Sequence, residues 1–195
     1  MKIYRVVMCV LLILVSSAVL GQQDGDPLDF TETYDENGIR FDYPAGWIVA
    51  EGDFGQVTLA NSPSVVDAIG SNGYGVTVAG DIAVLIVALP DFDDFTALEA
   101  YELASFASVD GSGLDVDAPV ERELGDFLTL TGNLRSLGVD GEPDGIGALY
   151  TLDYSPDTVM IALGIGLTED VTLIEVVIEK LVKSLEIDES MIQLD

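Results

Sequence analysis

Two uninterrupted apolar runs, Ile82–Leu89 and Val159–Ile165, constrain this chain more than any other feature. Neither alternates with polar residues. A strand that is apolar on both sides must be buried on both faces. A helix is the competing reading, but the β-branched content and the Gly80 and Pro90 boundaries favour strand. Two such strands in one chain imply a sheet covered by layers on both sides.

Two helices can supply much of that cover. Thr96-Ala97-Leu98-Glu99 is a capping box, and the helix behind it should run to about Ser108. Later, Ile174, Val177, Ile178, Leu181, Val182 and Leu185 form a stripe at helical spacing. Thr168 is the expected cap of this second helix. Glu169 and Asp170 lie at its positive end, and Lys180 and Lys183 near its negative end.

The remaining segments read as short strands and turns. Leu28–Tyr34 and Ile39–Tyr43 flank Asn37-Gly38, a hairpin signal. Tyr43-Pro44-Ala45-Gly46 suits a type I turn. Strands are expected at 47–51, 56–60, 76–78, 120–124, 127–131 and 146–154. Ser62-Pro63 opens a short helix that Gly70 closes, and 70–75 is a loop. Ser155-Pro156-Asp157 is too short to join anything but an antiparallel pair. The chain shows no internal repeat or interior linker, and residues 28–188 read as one domain.

The first 21 residues read as a secretory signal. Lys2 and Arg5 precede the apolar run Val6–Val15, and the small residues Ser16, Ser17 and Ala18 follow. Cleavage after Ala18 and cleavage after Gly21 are both open; an uncleaved segment would serve as an N-terminal anchor. Residues 22–27 form an acidic leader, and 189–195 a C-terminal tail. The sole cysteine, Cys9, lies within the signal, so the exported chain has no disulfide. Its expected location is periplasmic or extracellular.

The formal charge is −28. Losing Lys2 and Arg5 with the signal leaves five basic against 35 acidic residues, a balance of −30. Such a surface opposes nucleic acid and anionic membrane as partners, because both require basic groups. It favours attraction of cations and costs self-repulsion.

Catalytic chemistry is narrowed by the absence of histidine and, after export, of cysteine. Ser-His-Asp, Cys-His and histidine-ligated zinc sites are excluded. Gly145-Ile-Gly147 and Gly164-Ile-Gly166 lack the third glycine of a dinucleotide loop and read as close-packing points in strands. Acids cluster at Asp91-Asp93-Asp94, at Asp115-Asp117 with Glu121 and Glu123, and at Asp140-Glu142-Asp144. Oxygen donors suit Ca²⁺, although none of the three matches the EF-hand loop. Trp47 could be a ligand platform, but its alternation with Val49 reads as core.

Ile39-Arg-Phe-Asp-Tyr-Pro-Ala-Gly-Trp47, followed by Val57-Thr-Leu-Ala-Asn61, resembles the PsbP-like superfamily. That group includes the extrinsic subunit P of photosystem II, DcrB-type envelope proteins and a Ran-binding nuclear import factor. The last helix, ending Leu181-Val-Lys-Ser-Leu185, is also similar to the family's. The resemblance spans residues 28–188. It implies an antiparallel sheet sandwiched between helices, an α/β/α fold, and a scaffold used for docking. The basic docking residues and histidines of the photosystem subunit have no counterpart in this chain. The resulting expectation is an exported, acidic, non-enzymatic binding domain with an envelope or extracellular protein partner. It has no catalytic residues and no cofactor. The alternatives are a Ca²⁺-responsive acidic domain and a carboxylate-based hydrolase.

Overall fold

The structure is a computed structural model and describes residues 28–52, 55–66, 80–90, 95–109, 114–137, 143–167 and 170–192. The expected signal and leader lie outside these residues. So do Asp91, Asp93, Asp94, the strand at 76–78 and the closing turn of the helix begun at Pro63.

Strands β1 (Phe30–Glu36) and β2 (Ile39–Pro44) form the first hairpin. Its turn has Asn37 at φ 53° and Gly38 at φ 79°, the two positive values that an Asn-Gly hairpin turn requires. The next turn is displaced by one residue from the expected position. Trp47 N–H donates to the Pro44 carbonyl at 3.2 Å, which makes Pro44 its first residue. Gly46, at φ 78°, is therefore third, the type II pattern in place of type I.

After this turn the chain enters the main sheet through β3 (Ile48–Glu51) and β4 (Gln56–Ala60). Then come β5 (Ala83–Pro90), helix α1 (Ala97–Val109), β6 (Leu114–Val116), β7 (Val120–Leu124), β8 (Phe127–Leu137), β9 (Pro143–Ser155) and β10 (Thr158–Gly166). Helix α2 (Val171–Ser184), β11 (Glu186–Ile187) and a 3₁₀ turn (Glu189–Met191) close the described chain. The main sheet runs β3-β4-β5-β10-β9-β8-β6, with β7 also paired to β8, and every described pair is antiparallel. The two apolar runs become β5 and β10 and lie side by side in its centre, Ile86 opposite Ala162. Burial on both faces is thus what their composition requires.

Helix α1 covers one face. Its capping box is formed as expected: Thr96 N–H donates to the Glu99 carboxylate at 2.9 Å, and Glu99 N–H to Thr96 Oγ1 at 3.3 Å. Helix α2 covers the other face with Ile174, Val177, Ile178, Leu181 and Val182, all buried. Each is worth about 1.5–3 kcal/mol by burial. The sandwich has an addition that the sequence reading lacks. Beside α2 sits a second sheet of three strands, β1-β2-β11, and its Tyr34, Ile39 and Phe41 enter the same core as α2.

Three further expectations change. Thr168 and Glu169 lie outside the described residues, and the N-cap of α2 is Asp170. Its buried carboxylate accepts Gly80 N–H at 3.1 and 3.2 Å and Leu167 N–H at 3.2 Å, tying the approach to β5 onto the helix start. Trp47 packs on the rim of the core and is half-buried. The segment after 188 does not hang free as far as Ile192. Glu189 accepts a hydrogen bond from Thr158 Oγ1 at 2.7 Å and another from Ser155, and Asp188 N–H donates to the Gly38 carbonyl at 2.7 Å. The glycines fulfil their packing role: a Cβ at Gly164 would collide with Ile174, and one at Gly147 with the Gly164 carbonyl.

Candidate functional site

The acids expected to group as Asp115, Asp117, Glu121 and Glu123 are divided by the sheet. Asp115 ends up in β6, and Asp117 follows it at a break in the sheet edge. There the chain passes Ala118 and Pro119 before resuming as β7. Arg135 of β8 grips Asp117 with both terminal guanidinium nitrogens, at 2.9 and 3.0 Å, and lies 3.6 Å from Asp115. The Asn133 amide adds a third donor to Asp117 at 3.1 Å. Arg135, followed by Asn133, holds the Asp117 carboxyl below its usual range. The carboxylate takes three hydrogen bonds from side chains of its own fold. Tyr101 of α1 donates to the Asp117 main-chain carbonyl at 2.8 Å, so the same residue anchors the helix.

A second polar group joins β7, β9 and α2. Arg122 donates to Glu179 at 3.2 Å, and Lys183 approaches the same carboxylate at 3.9 Å. Tyr150 lies beside them; burial first, then Glu175 and Glu179, push its phenol up to about 12. Arg40 bridges the small sheet, 3.0 Å from Glu186 and 3.7 Å from Asp35. Lys180 donates to the Leu28 carbonyl at 3.2 Å and stands 4.8 Å over the Phe30 ring. All five basic residues among the described residues therefore have partners within the molecule.

Among the described residues two buried hydroxyls make no hydrogen bond of good geometry, Tyr34 and Thr129. They belong to different sheets and do not converge. Burial, followed by the charge of Glu51, pushes Tyr34 up to about 12. Among the described residues no group of three or more acidic, histidine or cysteine side chains could hold a metal ion. Asp140 and Glu142 lie outside them.

Polar groups thus close on one another, while apolar ones are left at the surface. Leu98 is 47% exposed and Leu128 58%, and Leu130 is half-buried. Alternation along β8 puts Leu128 and Leu130 on the face of Gly132, which Tyr101 of α1 overlies. Across the hairpin Glu123 is paired with Leu128 and Glu121 with Leu130. Sequence reasoning missed this patch because a strand reading of 127–131 assigns alternating residues to core and solvent. It does not show that α1 stops short of the β7–β8 end.

The layered antiparallel sheet with α1 on one face and α2 on the other is the PsbP-like fold. Cyanobacterial PsbP (CyanoP) from Synechocystis sp. PCC 6803 has a similar structure, with TM-score 0.52 and 14% identity, over 87% of this chain and 99% of that one. LpqN, described as involved in cell envelope biogenesis of Mycobacterium tuberculosis, has TM-score 0.50 and 11% identity over 84% of this chain and 87% of its own. A Bacteroides thetaiotaomicron protein has TM-score 0.50 and 12% identity over 77% of this chain; the match spans only 45% of that protein. No family model and no curated protein matches the sequence. At these identities the likeness defines the fold.

Proposed function

We propose that the protein is an exported, non-enzymatic docking domain that binds a protein partner in the cell envelope or outside the cell. The observation carrying this reading is that its organised polar groups are engaged with one another. Asp117 is held by Arg135 and Asn133, Glu179 by Arg122, and Asp170 by backbone N–H groups. A general acid or base must be within reach of a substrate proton, and these carboxylates already have their partners. The likeness to LpqN, a protein involved in cell envelope biogenesis, supports an envelope setting. None of the described helices is long and apolar enough to cross a membrane.

The test is affinity capture of the tagged protein from its own envelope fraction after mild cross-linking. A partner recovered in constant ratio, and displaced by the untagged protein, is the expected result. Recovery of no partner would defeat the docking reading.

A further inference from the structure

We infer that the outer face of the β7–β8 hairpin, beside the first turn of α1, docks a cationic amphipathic segment of a partner protein. This inference rests on the docking reading above and gives it a place and a chemistry. Singly exposed leucines are ordinary on protein surfaces. Here they are gathered. Ala97 N–H donates to Asp153 at 2.7 Å, and Thr151 donates to the Ala97 carbonyl at 2.8 Å. The start of α1 is thereby pinned over Thr151 and Asp153 of β9. Thr151 is cross-strand from Leu130, and the neighbouring Thr129–Leu152 pair brings Leu128 alongside Asp153.

The flank of α1 that faces the hairpin is also fixed. Tyr101 leans toward β8 and the β6–β7 break, with its hydroxyl over Gly132 and bonded to Asp117. Leu98 is three residues earlier and so lies on that same flank. Leu98, Leu128 and Leu130 therefore border one open surface.

Its rim is acidic. Glu121 and Glu123 lie across the hairpin, and Glu102 is one turn beyond Leu98; all three are exposed. An apolar centre with a charged rim is the anatomy of a protein interface. The sign of that rim selects the occupant. None of the described basic side chains is placed to neutralise it: Arg122 points to the opposite face and is held by Glu179, and Arg135 is held by Asp117. A second copy of this acidic chain and an anionic lipid surface would both be repelled. A segment that carries leucine-like side chains between lysines or arginines meets both features.

The test is an NMR titration of the isotope-labelled protein with a short peptide alternating leucine and lysine. A lysine-only peptide of equal charge is the reference. Shifts confined to Leu98, Leu128, Leu130 and the two hairpin glutamates are expected. Leu128→Ser should weaken the alternating peptide about tenfold or more, the consequence of losing one buried leucine. Val120→Ser should leave it unchanged, because Val120 is 60% exposed on the other face of the same hairpin. Folding of both variants is verified by their own spectra. Absence of shifts, shifts over acidic surface generally, equal binding of the lysine-only peptide, or equal loss in the two variants would each overturn the inference. Those outcomes concern the patch alone. If envelope capture still recovers a partner, and Leu128→Ser recovers it equally, the docking reading stands and its site lies elsewhere.

Discussion

At Gly132 the Tyr101 hydroxyl occupies the space that a Cβ would need. The contact lets α1 approach the sheet closely enough to bond Asp117. Gly132→Ala should therefore destabilise the protein by about 1–3 kcal/mol, the usual cost of overpacking. In denaturant titration, adding Tyr101→Phe should restore part of that loss, because the hydroxyl is the colliding atom. No recovery in the double variant would mean that the backbone, not the phenol, sets the limit. The tyrosines also govern alkaline behaviour. Burial, with nearby carboxylates, pushes Tyr34, Tyr101 and Tyr150 up to about 12. In the unfolded chain they ionise near pH ~10. The folded state then holds more protons between these values. Stability from this source is complete below about pH 10 and is lost as pH rises toward about 12. Tyrosinate absorbance should show these phenols ionising only as the fold melts. Full ionisation of a still-folded protein near pH ~10 would contradict this. Trp47→Ala should cost less than the ~3–5 kcal/mol of a fully buried aromatic, since only part of its ring packs on the core. Thermal unfolding of that variant checks it.

Among the elements, the edges of the main sheet are short or interrupted. β3 has four residues, and the opposite edge is split into β6 and β7 by a passage through Pro119, which has no N–H to donate. The last turn has a structural duty as well. Truncation after Asp188 removes the carboxylate that Ser155 and Thr158 hold below its usual range. It should lower the melting temperature measurably, and Glu189→Gln should reproduce part of the drop. An unchanged melting temperature would make 189–192 a passenger. What could be read beforehand follows from the range of each signal. The Thr96–Glu99 box, the Asn37-Gly38 turn and the β9–β10 hairpin are encoded within a few neighbouring residues, and all three formed. β6 and β11, three and two residues long, carry no period to detect. The three-stranded sheet was invisible for the same reason, because its last member comes from far along the chain. Asp117 was read as one acid among many; only pairing β6 with β8 brings Arg135 to it. The leucine patch depends on where a helix stops short, which no local pattern records.

For the whole molecule, charge sets the dependence on solution conditions. With every described basic residue already engaged within the molecule, added salt has mainly repulsion to screen, over a Debye length of about 3 Å at 1 M. The melting temperature should climb gradually with ionic strength and equally in NaCl, MgCl₂ and CaCl₂ at matched ionic strength. A saturable rise with Ca²⁺ alone would show a site among the acids outside the described residues. The placement of β11 has its own consequence. Glu186 pairs with Arg40 across a separation of 146 residues, so the first hairpin gains its third strand from far along the sequence. On the ribosome β1 and β2 emerge well before this partner. Until then they are a two-stranded ribbon, marginal in water by itself. The order of synthesis thus acts as a clock: the small sheet cannot be completed until β11 has been made.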